Sequence, residues 1–348
     1  MSRLWNKLQA QVWPAPHACI GIELAGERLI AIHTELMGAV WNVTHVVEEY
    51  LPFVPFRGAP RAEETSALAQ ALERLAGSQH QTQLPIQFAL PDPAAMYQVL
   101  EFESIPGAVH ERNALARFRL EKEWPAAVNM ECVTQPLGED QGRALLLVMA
   151  VDRAWLGCLR TACRVAGLVP SVVDMTMCHV FNRLQERLGD DARDGVGTTP
   201  GTGEVDRVGN TRSRPRRELA VEEASGGALL VIEPHAWTLL LWDNAIRPRF
   251  VRTRWREAAS GQAPDYEAIA IEVERLVRAY VLAAPGRNVS GLYVCAADAD
   301  LAPLAACLDT RMRTPCVRLS LGQGLSFAPG VEEGALSPGA LASAILRT

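Results

Sequence analysis

The stretch CIGIELAGERLIAIHTE, residues Cys19–Glu35, contains two apolar runs joined by a tight turn. Ala25-Gly26-Glu27 forms the turn, and the second run covers Leu29–Ile32. This pattern predicts a β-hairpin. Chains that hold a nucleotide phosphate on a hairpin often begin this way, because such a turn presents backbone N–H groups to an anion. Here the turn region carries two acids, Glu23 and Glu27, and no Lys, Ser or Thr, so its shape fits a phosphate but its charge does not.

Outward from the hairpin, the first half of the chain alternates strands and helices. Three strands at 18–24, 28–35 and 39–48 form a meander rather than a βαβ unit. Apolar periodicity then predicts helix 62–76, strands 85–90 and 96–103, helix 107–123, strand 144–151, helix 153–166, strand 170–175 and helix 176–188. Within this series, Asp152 is predicted to cap one helix and Gly167 to end it.

The composition changes over residues 189–227, which are rich in Gly, Arg, Asp and Thr and nearly free of large apolar side chains. Such a segment has too little apolar surface to offset the entropy lost on ordering. We therefore expect a disordered linker or loop between two parts of the chain.

After the linker, the order of elements repeats. Three strands at 228–233, 237–242 and 246–254 again form a meander, and the remaining pattern predicts helix 265–283, strand 291–296, helix 300–309, strand 315–320 and helix 338–346. A mixed sheet with helices on its faces buries such elements. The sequence thus predicts an α/β protein with two sheet domains and a cleft between them, where ligands commonly bind.

The composition excludes several classes of protein. The net charge of −6 gives no reason to expect nucleic acid as a partner. The eight cysteines form no C-x-x-C pair and the seven histidines show no zinc spacing, so no metal site is expected. No apolar run approaches the roughly 18 residues of a membrane span, so the chain is expected to have no transmembrane helix of its own. Residues 1–17 are predicted to form an amphipathic N-terminal segment.

Four stretches have a characteristic order and spacing: the opening hairpin, HERNALARFRLEKEWPAAVNMECVTQPLGE (110–139), LLLVMAVDRAWLGCLRTACRVAGLVPSVVDM (145–175) and VSGLYVCAADADLAPLAACL (289–308). Together they resemble the PilM/MshI group of cytoplasmic pilus-assembly proteins, which belongs to the actin-like ATPase superfamily. The resemblance implies two actin-like (ribonuclease H-like) lobes with mixed sheets, residues 18–188 and 228–348. It also implies a small subdomain inserted in the first lobe at about 92–150.

The first nucleotide motif of that superfamily is degenerate here. ATP-binding members place an Asp, a Gly and hydroxyl or Lys side chains on the first hairpin. The corresponding positions in this sequence are Gly21, Glu23, Gly26 and Glu27. Glu23 is one methylene longer than the expected Asp, and Glu27 stands where a hydroxyl would donate a hydrogen bond.

The other two nucleotide motifs also differ from the family pattern in ways that disfavour nucleotide binding. The second hairpin reads Val231-Ile232-Glu233-Pro234 where the family has an Asp-Ile-Gly pattern, and Pro234 also removes a backbone donor. The third motif reads Ala296-Ala297-Asp298 where three glycines are expected, so Cβ atoms block a close approach to the nucleotide.

Charge decides what these departures imply. A carboxylate about 4 Å from a phosphate charge costs about 4 kcal/mol at an effective dielectric constant of 20. That penalty corresponds to about three decades in affinity. We therefore expect a chain that is not an enzyme and that holds no cofactor and no metal, with weak binding of ATP and Mg²⁺ left open.

The small subdomain is the candidate partner site. In PilM-like proteins it holds a groove that captures the short cytoplasmic tail of a small bitopic inner-membrane protein of the PilN type. The resemblance implies the same role for residues 110–139 and the following strand 144–150. Candidate contact residues on one helical face are Arg117, Phe118, Glu121 and Trp124. The alternative is that Phe118 and Trp124 are core residues.

The resemblance thus implies a non-catalytic scaffold for a type IV, MSHA-like pilus. The chain would lie in the cytoplasm, peripheral to the inner membrane, bound to the PilN-type protein and to other pilus-assembly proteins. A homo-oligomer is left open. Two alternative functions remain: an ATP-binding PilM-type ATPase, and the cytoplasmic component of a type II secretion system. The second normally carries a membrane helix after its actin-like region.

Overall fold

This computed structural model describes residues 18–38, 40–78, 84–194, 226–256, 265–283, 287–296, 301–312, 314–323, 325–329, 331 and 336–345.

The first sheet contains the opening hairpin. The strands of the first sheet, in chain order, are β1 (Ala18–Ala25), β2 (Arg28–Met37), β3 (Val40–Tyr50), β4 (Ile86–Leu90), β8 (Pro170–Met175) and β14 (Ser326–Phe327). Their order across the sheet is β14-β3-β2-β1-β4-β8. β1, β2 and β3 are antiparallel neighbours, whereas β4 and β8 run parallel to β1.

The second sheet repeats this arrangement. Its strands are β9 (Gly227–Glu233), β10 (Ala236–Trp242), β11 (Pro248–Trp255), β12 (Leu292–Ala296) and β13 (Cys316–Arg318), in the order β11-β10-β9-β12-β13. Again the first three strands form an antiparallel meander and the next two run parallel to the first of them. Two mixed sheets of one topology confirm the predicted pair of actin-like lobes.

The predicted insertion is a small antiparallel sheet between β4 and the return of the chain to the first lobe. Its strands are β5 (Ala95–Phe102), β6 (Met130–Asp140) and β7 (Arg143–Asp152), in the order β5-β7-β6. Helix α2 (Val109–Glu123) packs on one face of this sheet, where Ala116 and Leu120 contact a separate small core. The subdomain therefore has its own hydrophobic core.

The remaining helices form layers around the two large sheets. They are α1 (Ala62–Ser78), α3 (Arg153–Val165), α4 (Thr176–Asp194), α5 (Tyr266–Leu282), α6 (Ala302–Met312) and α7 (Pro338–Ser343). α1 and α3 cover the outer face of the first sheet, and α5 and α6 cover the outer face of the second. α4 and α7 lie in a core that also contains side chains of both sheets, including Ile32, Leu229 and Val231. This shared core joins the lobes.

The predicted signals at the two ends of α3 are confirmed. Asp152 accepts hydrogen bonds from the backbone N–H groups of Ala154 at 2.7 Å and Trp155 at 3.3 Å. Gly167 lies just past the helix with a φ of 68°, a conformation that glycine adopts without strain. Local sequence therefore sets where this helix begins and ends.

The C-terminal elements contact the first lobe, although they fall in the range 228–348 assigned to the second. β14 pairs with β3, and α7 packs on β1. Gly21 makes that packing close, because a Cβ at this position would overlap the carbonyl oxygen of Ala340 and the amide nitrogen of Ala344. Gly21, predicted as a nucleotide position, is thus the residue over which the last helix lies.

An ion-pair network joins the small subdomain to the second lobe. Asp140, at the end of β6, pairs with Arg249 and lies 3.8 Å from Arg247. Both arginines also bind Asp243, at 2.8 Å each. The network buries most of the Arg249 side chain, which is 7% exposed. The insertion therefore contacts both lobes.

Some predictions fall outside the described residues: the N-terminal segment 1–17, the greater part of the linker, and Ala297 and Asp298 of the third nucleotide motif. At the start of the predicted linker, α4 continues to Asp194 rather than ending at 188. A single glycine inside a helix costs only about 1 kcal/mol, which is why Gly189 does not end it. Among the described residues, no helix is both long enough and apolar enough to cross a bilayer.

The contact between β1 and α7 can be tested with Gly21→Ala. The added methyl group overlaps backbone atoms that cannot rotate away, so we expect a loss of about 1–3 kcal/mol in the free energy of unfolding. Urea unfolding followed by circular dichroism measures it. Gly157→Ala is the matched control, since this glycine lies within α3 and a Cβ there meets nothing within 4 Å. The control should be neutral or stabilising by up to about 1 kcal/mol, and equal behaviour of the two variants would contradict the close packing.

Candidate functional site

The turns that the sequence assigns to phosphate binding meet directly where the lobes join. The imidazole of His235, between β9 and β10, lies against Gly26 in the β1–β2 turn. A Cβ on Gly26, which has a φ of 67°, would overlap that ring. The cavity beside this contact has a volume of about 10 Å³. It is lined by Gly26, Val54, Pro55, Pro91, Glu233, His235, Ala236 and Trp255. This volume corresponds to about one water molecule.

Glu23 differs from the sequence expectation in the direction of its carboxylate. It is 1% exposed and points toward the first turn of α7. It accepts hydrogen bonds from the Ala340 N–H at 2.8 Å, from the Ser337 hydroxyl and from the Thr176 hydroxyl at 3.2 Å. These donors are distant from Glu23 in the sequence. They hold its carboxylate inside the core, so the carboxylate does not point into the space where a phosphate would bind.

Glu233, at the end of β9, is also buried at 5% exposure. Its Oε2 accepts a hydrogen bond from the backbone N–H of Asp92 at 3.2 Å. Its Oε1 is buried and has no hydrogen-bond partner. The residue that replaces a glycine of the second motif therefore bonds across the lobe junction to the segment that follows β4.

Asp92 is a residue of this site that was not among the candidates predicted from the sequence. It is fully buried. Its Oδ1 accepts hydrogen bonds from the Met177 N–H at 2.7 Å and the Tyr97 hydroxyl at 3.4 Å. Its Oδ2 has no partner. The available signal was an acid just after a fully buried strand, between Pro91 and Pro93.

Glu23, Asp92 and Glu233 form what we call the acid cluster. Burial raises the pKa of Asp92 to about 7, with a further contribution from the charge of Glu23. Burial likewise raises the pKa of Glu23, and raises that of Glu233 well above its usual value with the help of both neighbouring acids. No ion pair among the described residues includes any of the three. With no ion pair to a described residue, the raised pKa values favour the protonated form of these carboxyls.

The cationic groups of this region lie on the outside of the second hairpin. The guanidinium of Arg256 donates to the backbone carbonyl of Glu233 at 3.0 Å and to that of Pro234. Arg57 donates in turn to the carbonyl of Arg256 at 3.0 Å. Burial lowers the pKa of His235, against the smaller raising effect of nearby Glu27. The arginines thus hold the hairpin in place instead of neutralising the acid cluster.

The third predicted motif is only partly visible. Ala296 ends β12 and is half-buried. Its two successors are outside the described residues, so their role in nucleotide binding stays a prediction. Across the part of the chain that the structure describes, no group of three or more His, Cys, Asp or Glu side chains is arranged to hold a metal ion.

The candidate partner residues lie on or just after α2. Phe118 is 55% exposed, with the Lys122 ammonium 4.4 Å from its ring centre, and Trp124 is 41% exposed. Neither is a core residue, which removes the alternative that the sequence left open. Glu121 is half-buried, and Arg117 is close enough to Cys132 to hydrogen-bond its sulfur. Whether these four side chains bind a partner stays a prediction.

The fold and the lobe junction define this chain as a protein of the actin-like ATPase fold. No protein-family model matches the sequence, and no curated protein matches it. Among solved structures, a chain of the PilM-PilN type IV pilus biogenesis complex superposes with a TM-score of 0.67 at 16% identity, over 94% of this chain and 97% of that one. The resemblance to PilM-like chains is thereby confirmed as a likeness of fold.

Two further solved structures superpose less well. A protein of unknown function from Bacteroides thetaiotaomicron with an actin-like ATPase fold gives a TM-score of 0.48 at 6% identity, over 87% of this chain and 91% of that one. The cytoplasmic domain of EpsL, an inner-membrane component of the Vibrio cholerae type II secretion system, gives 0.44 at 11% identity, over 91% of each chain.

The acid cluster predicts that stability falls as pH rises. A carboxyl whose pKa is raised on folding binds more protons in the folded state, so its contribution is complete below the unfolded pKa of about 4 and is lost as pH rises. For Asp92 the loss extends through a pH of about 7. We expect a lower free energy of unfolding at pH 8 than at pH 5, by a few kcal/mol in order of magnitude, measured by urea unfolding.

Asp92→Asn is the variant that isolates this effect, because asparagine keeps the shape and the acceptor oxygen but does not titrate. We expect a flatter pH profile for the variant and a gain in stability over the wild type at pH 8. The control is Asp309→Asn, at an exposed carboxyl outside the cluster whose pKa is also raised by desolvation; because this group is far less buried than Asp92, we expect it to flatten the profile less. Parallel profiles for Asp92→Asn and the wild type would show that the cluster is ionised in the folded protein.

Proposed function

We propose that this chain is a non-catalytic scaffold of a type IV, MSHA-like pilus machine, positioned at the cytoplasmic face of the inner membrane. In this role it binds the cytoplasmic tail of a small bitopic membrane protein of the PilN type. The proposal rests on the fold match to a chain of the PilM-PilN complex, which extends over nearly all of both chains.

The geometry of the lobe junction supports the non-catalytic part. Phosphoryl transfer requires room for the phosphates and positive charge beside them. Here His235 packs on the turn at Gly26, and the cavity between the turns has a volume of about 10 Å³. The groups beneath are three buried carboxyls that have no cation to pair with among the described residues. These features favour protein binding over nucleotide turnover as the role of the fold.

Nucleotide binding is tested by thermal unfolding in Mg·ATP. A ligand present at 100 times its dissociation constant adds about 2.7 kcal/mol of stability. We expect no shift in Tm at millimolar Mg·ATP and no phosphate release in steady-state assays. A shift of several degrees, or steady turnover, would contradict the non-catalytic role.

The scaffold role is tested in cells. Deleting the gene should abolish surface pili, counted by electron microscopy, and the wild-type gene should restore them. Genes carrying Asp92→Asn or Glu233→Gln should also restore pili, because a scaffold requires a folded lobe junction and does not require ionisable carboxyls there. Circular dichroism provides the control that both variants fold. Normal piliation in the deletion strain would overturn the proposal.

A further inference from the structure

A groove runs along the outer edge of the first lobe, between α3 and β8. It has a volume of about 360 Å³, far larger than the cavity at the lobe junction. Its walls are mostly apolar and its rim carries two arginines: the principal residues are Leu156, Leu159, Leu168, Val173, Arg160 and Arg164. A concave apolar surface with a few charged groups is the usual form of a binding site.

The strand that borders this groove is the last one of its sheet. β8 pairs with β4 on one side and has no strand on its other side among the described residues. Its outer residues are exposed, with Val172 at 41% and Val173 at 42%. An uncovered edge with β-branched residues is suited to pairing with another extended chain. Since alternate side chains of a strand point to the same face, every second residue of an added strand would enter the groove beside Val173.

A further apolar side chain lines the groove. Val169, just before β8, is 81% exposed. An exposed valine in the wall of an apolar cavity extends the surface that a partner would remove from water. At roughly 25 cal/mol per Å² of apolar area, such burial makes a substantial contribution to binding.

The charge on α3 specifies the chemistry of the partner. Arg153, Arg160 and Arg164 are exposed, and the helix has no acidic residue. Arg160 already holds a carboxylate, that of Glu131 in the small subdomain, through two bonds of 3.1 Å each. Arg164 makes no ion pair with a described residue. If two copies of this chain met groove to groove, the arginines of one copy would face the arginines of the other and repel them. An acidic segment has the opposite charge and complements them.

We propose that this groove, rather than the exposed face of α2, binds the tail of the membrane partner. The tail lies in an extended conformation along β8, inserts apolar side chains at every second position, and places a carboxylate beside Arg164. The inference rests on the proposed function, and it names the site and the chemistry of the bound segment. On the face of α2, the Phe118 ring is already in contact with the Lys122 ammonium.

Fluorescently labelled synthetic peptides test the proposal. Each peptide carries the cytoplasmic residues of one single-span membrane protein encoded beside the gene of this chain. The peptide that binds the full-length wild-type chain by anisotropy is then titrated against variants. Val173→Asp, which puts a charge into the groove wall, should weaken binding about tenfold or more. Arg164→Glu should weaken it about tenfold at low salt and less at high salt.

Val165→Asp is the matched control. It makes the same substitution at a valine of similar exposure that does not line the groove. Binding by this variant should stay within about twofold of the wild type. A peptide whose acids are changed to Lys should bind Arg164→Glu better than it binds the wild type, an exchange that misfolding cannot produce.

The outcomes separate the site from the function. If the tail binds Val173→Asp as tightly as it binds the wild type, the groove is not the site, while the proposed function stands. Loss of binding in Phe118→Ser alone would place the site on α2 instead. If no peptide binds the wild-type chain, the proposed function falls and the groove assignment falls with it.

Discussion

The hydrogen bonds that Glu23 accepts from the first turn of α7 connect the first strand of the chain to its last helix. The acceptor lies at the centre of the first sheet, and its donors follow it by more than 300 residues. Because α7 also contributes to the core shared by both sheets, this contact orders the C-terminal segment and the lobe junction together. A carboxylate buried in this way needs donors or a proton. The structure supplies donors from Ser337, Ala340 and Thr176.

The same constraint explains the other two acids. Asp92 and Glu233 come from opposite sides of the junction, and the backbone N–H of one donates to the carboxylate of the other. Each keeps one oxygen without a partner. Two unpartnered buried oxygens in one cluster are costly when ionised and much less so when protonated. We therefore expect the junction to be most stable when these carboxyls are protonated.

Periodicity and turn residues predicted most of the fold. Apolar runs such as residues 228–232 identified central strands, and Asp152 and Gly167 marked the two ends of α3, because each of these signals acts over a few residues. The repeated element order predicted two lobes of one topology. What local patterns did not reveal was the return of β14 and α7 to the first sheet, since that depends on contacts between residues about 300 positions apart.

In the candidate site too, local features were predicted and contacts between distant residues were not. The sequence identified the hairpins, and their acids led to the prediction that they bind phosphate poorly. It did not show that Glu23 turns inward, because its donors are distant in sequence, or that Gly21 serves helix packing. Asp92 was not predicted as a site residue because Pro91-Asp92-Pro93 is an ordinary turn sequence, which accounts for an acid at this position. Its partners, at Met177 and Glu233, exist only in the folded chain.

The Asp140–Arg249–Asp243 network has a mechanical consequence. A subdomain inserted in one lobe would ordinarily pass a load to its host through two covalent crossings alone. Here ion pairs also connect the insertion to the second lobe. Arg247 and Arg249 each contact Asp140 of the insertion and Asp243 of their own lobe. Tension applied at the insertion is therefore shared by both halves of the molecule.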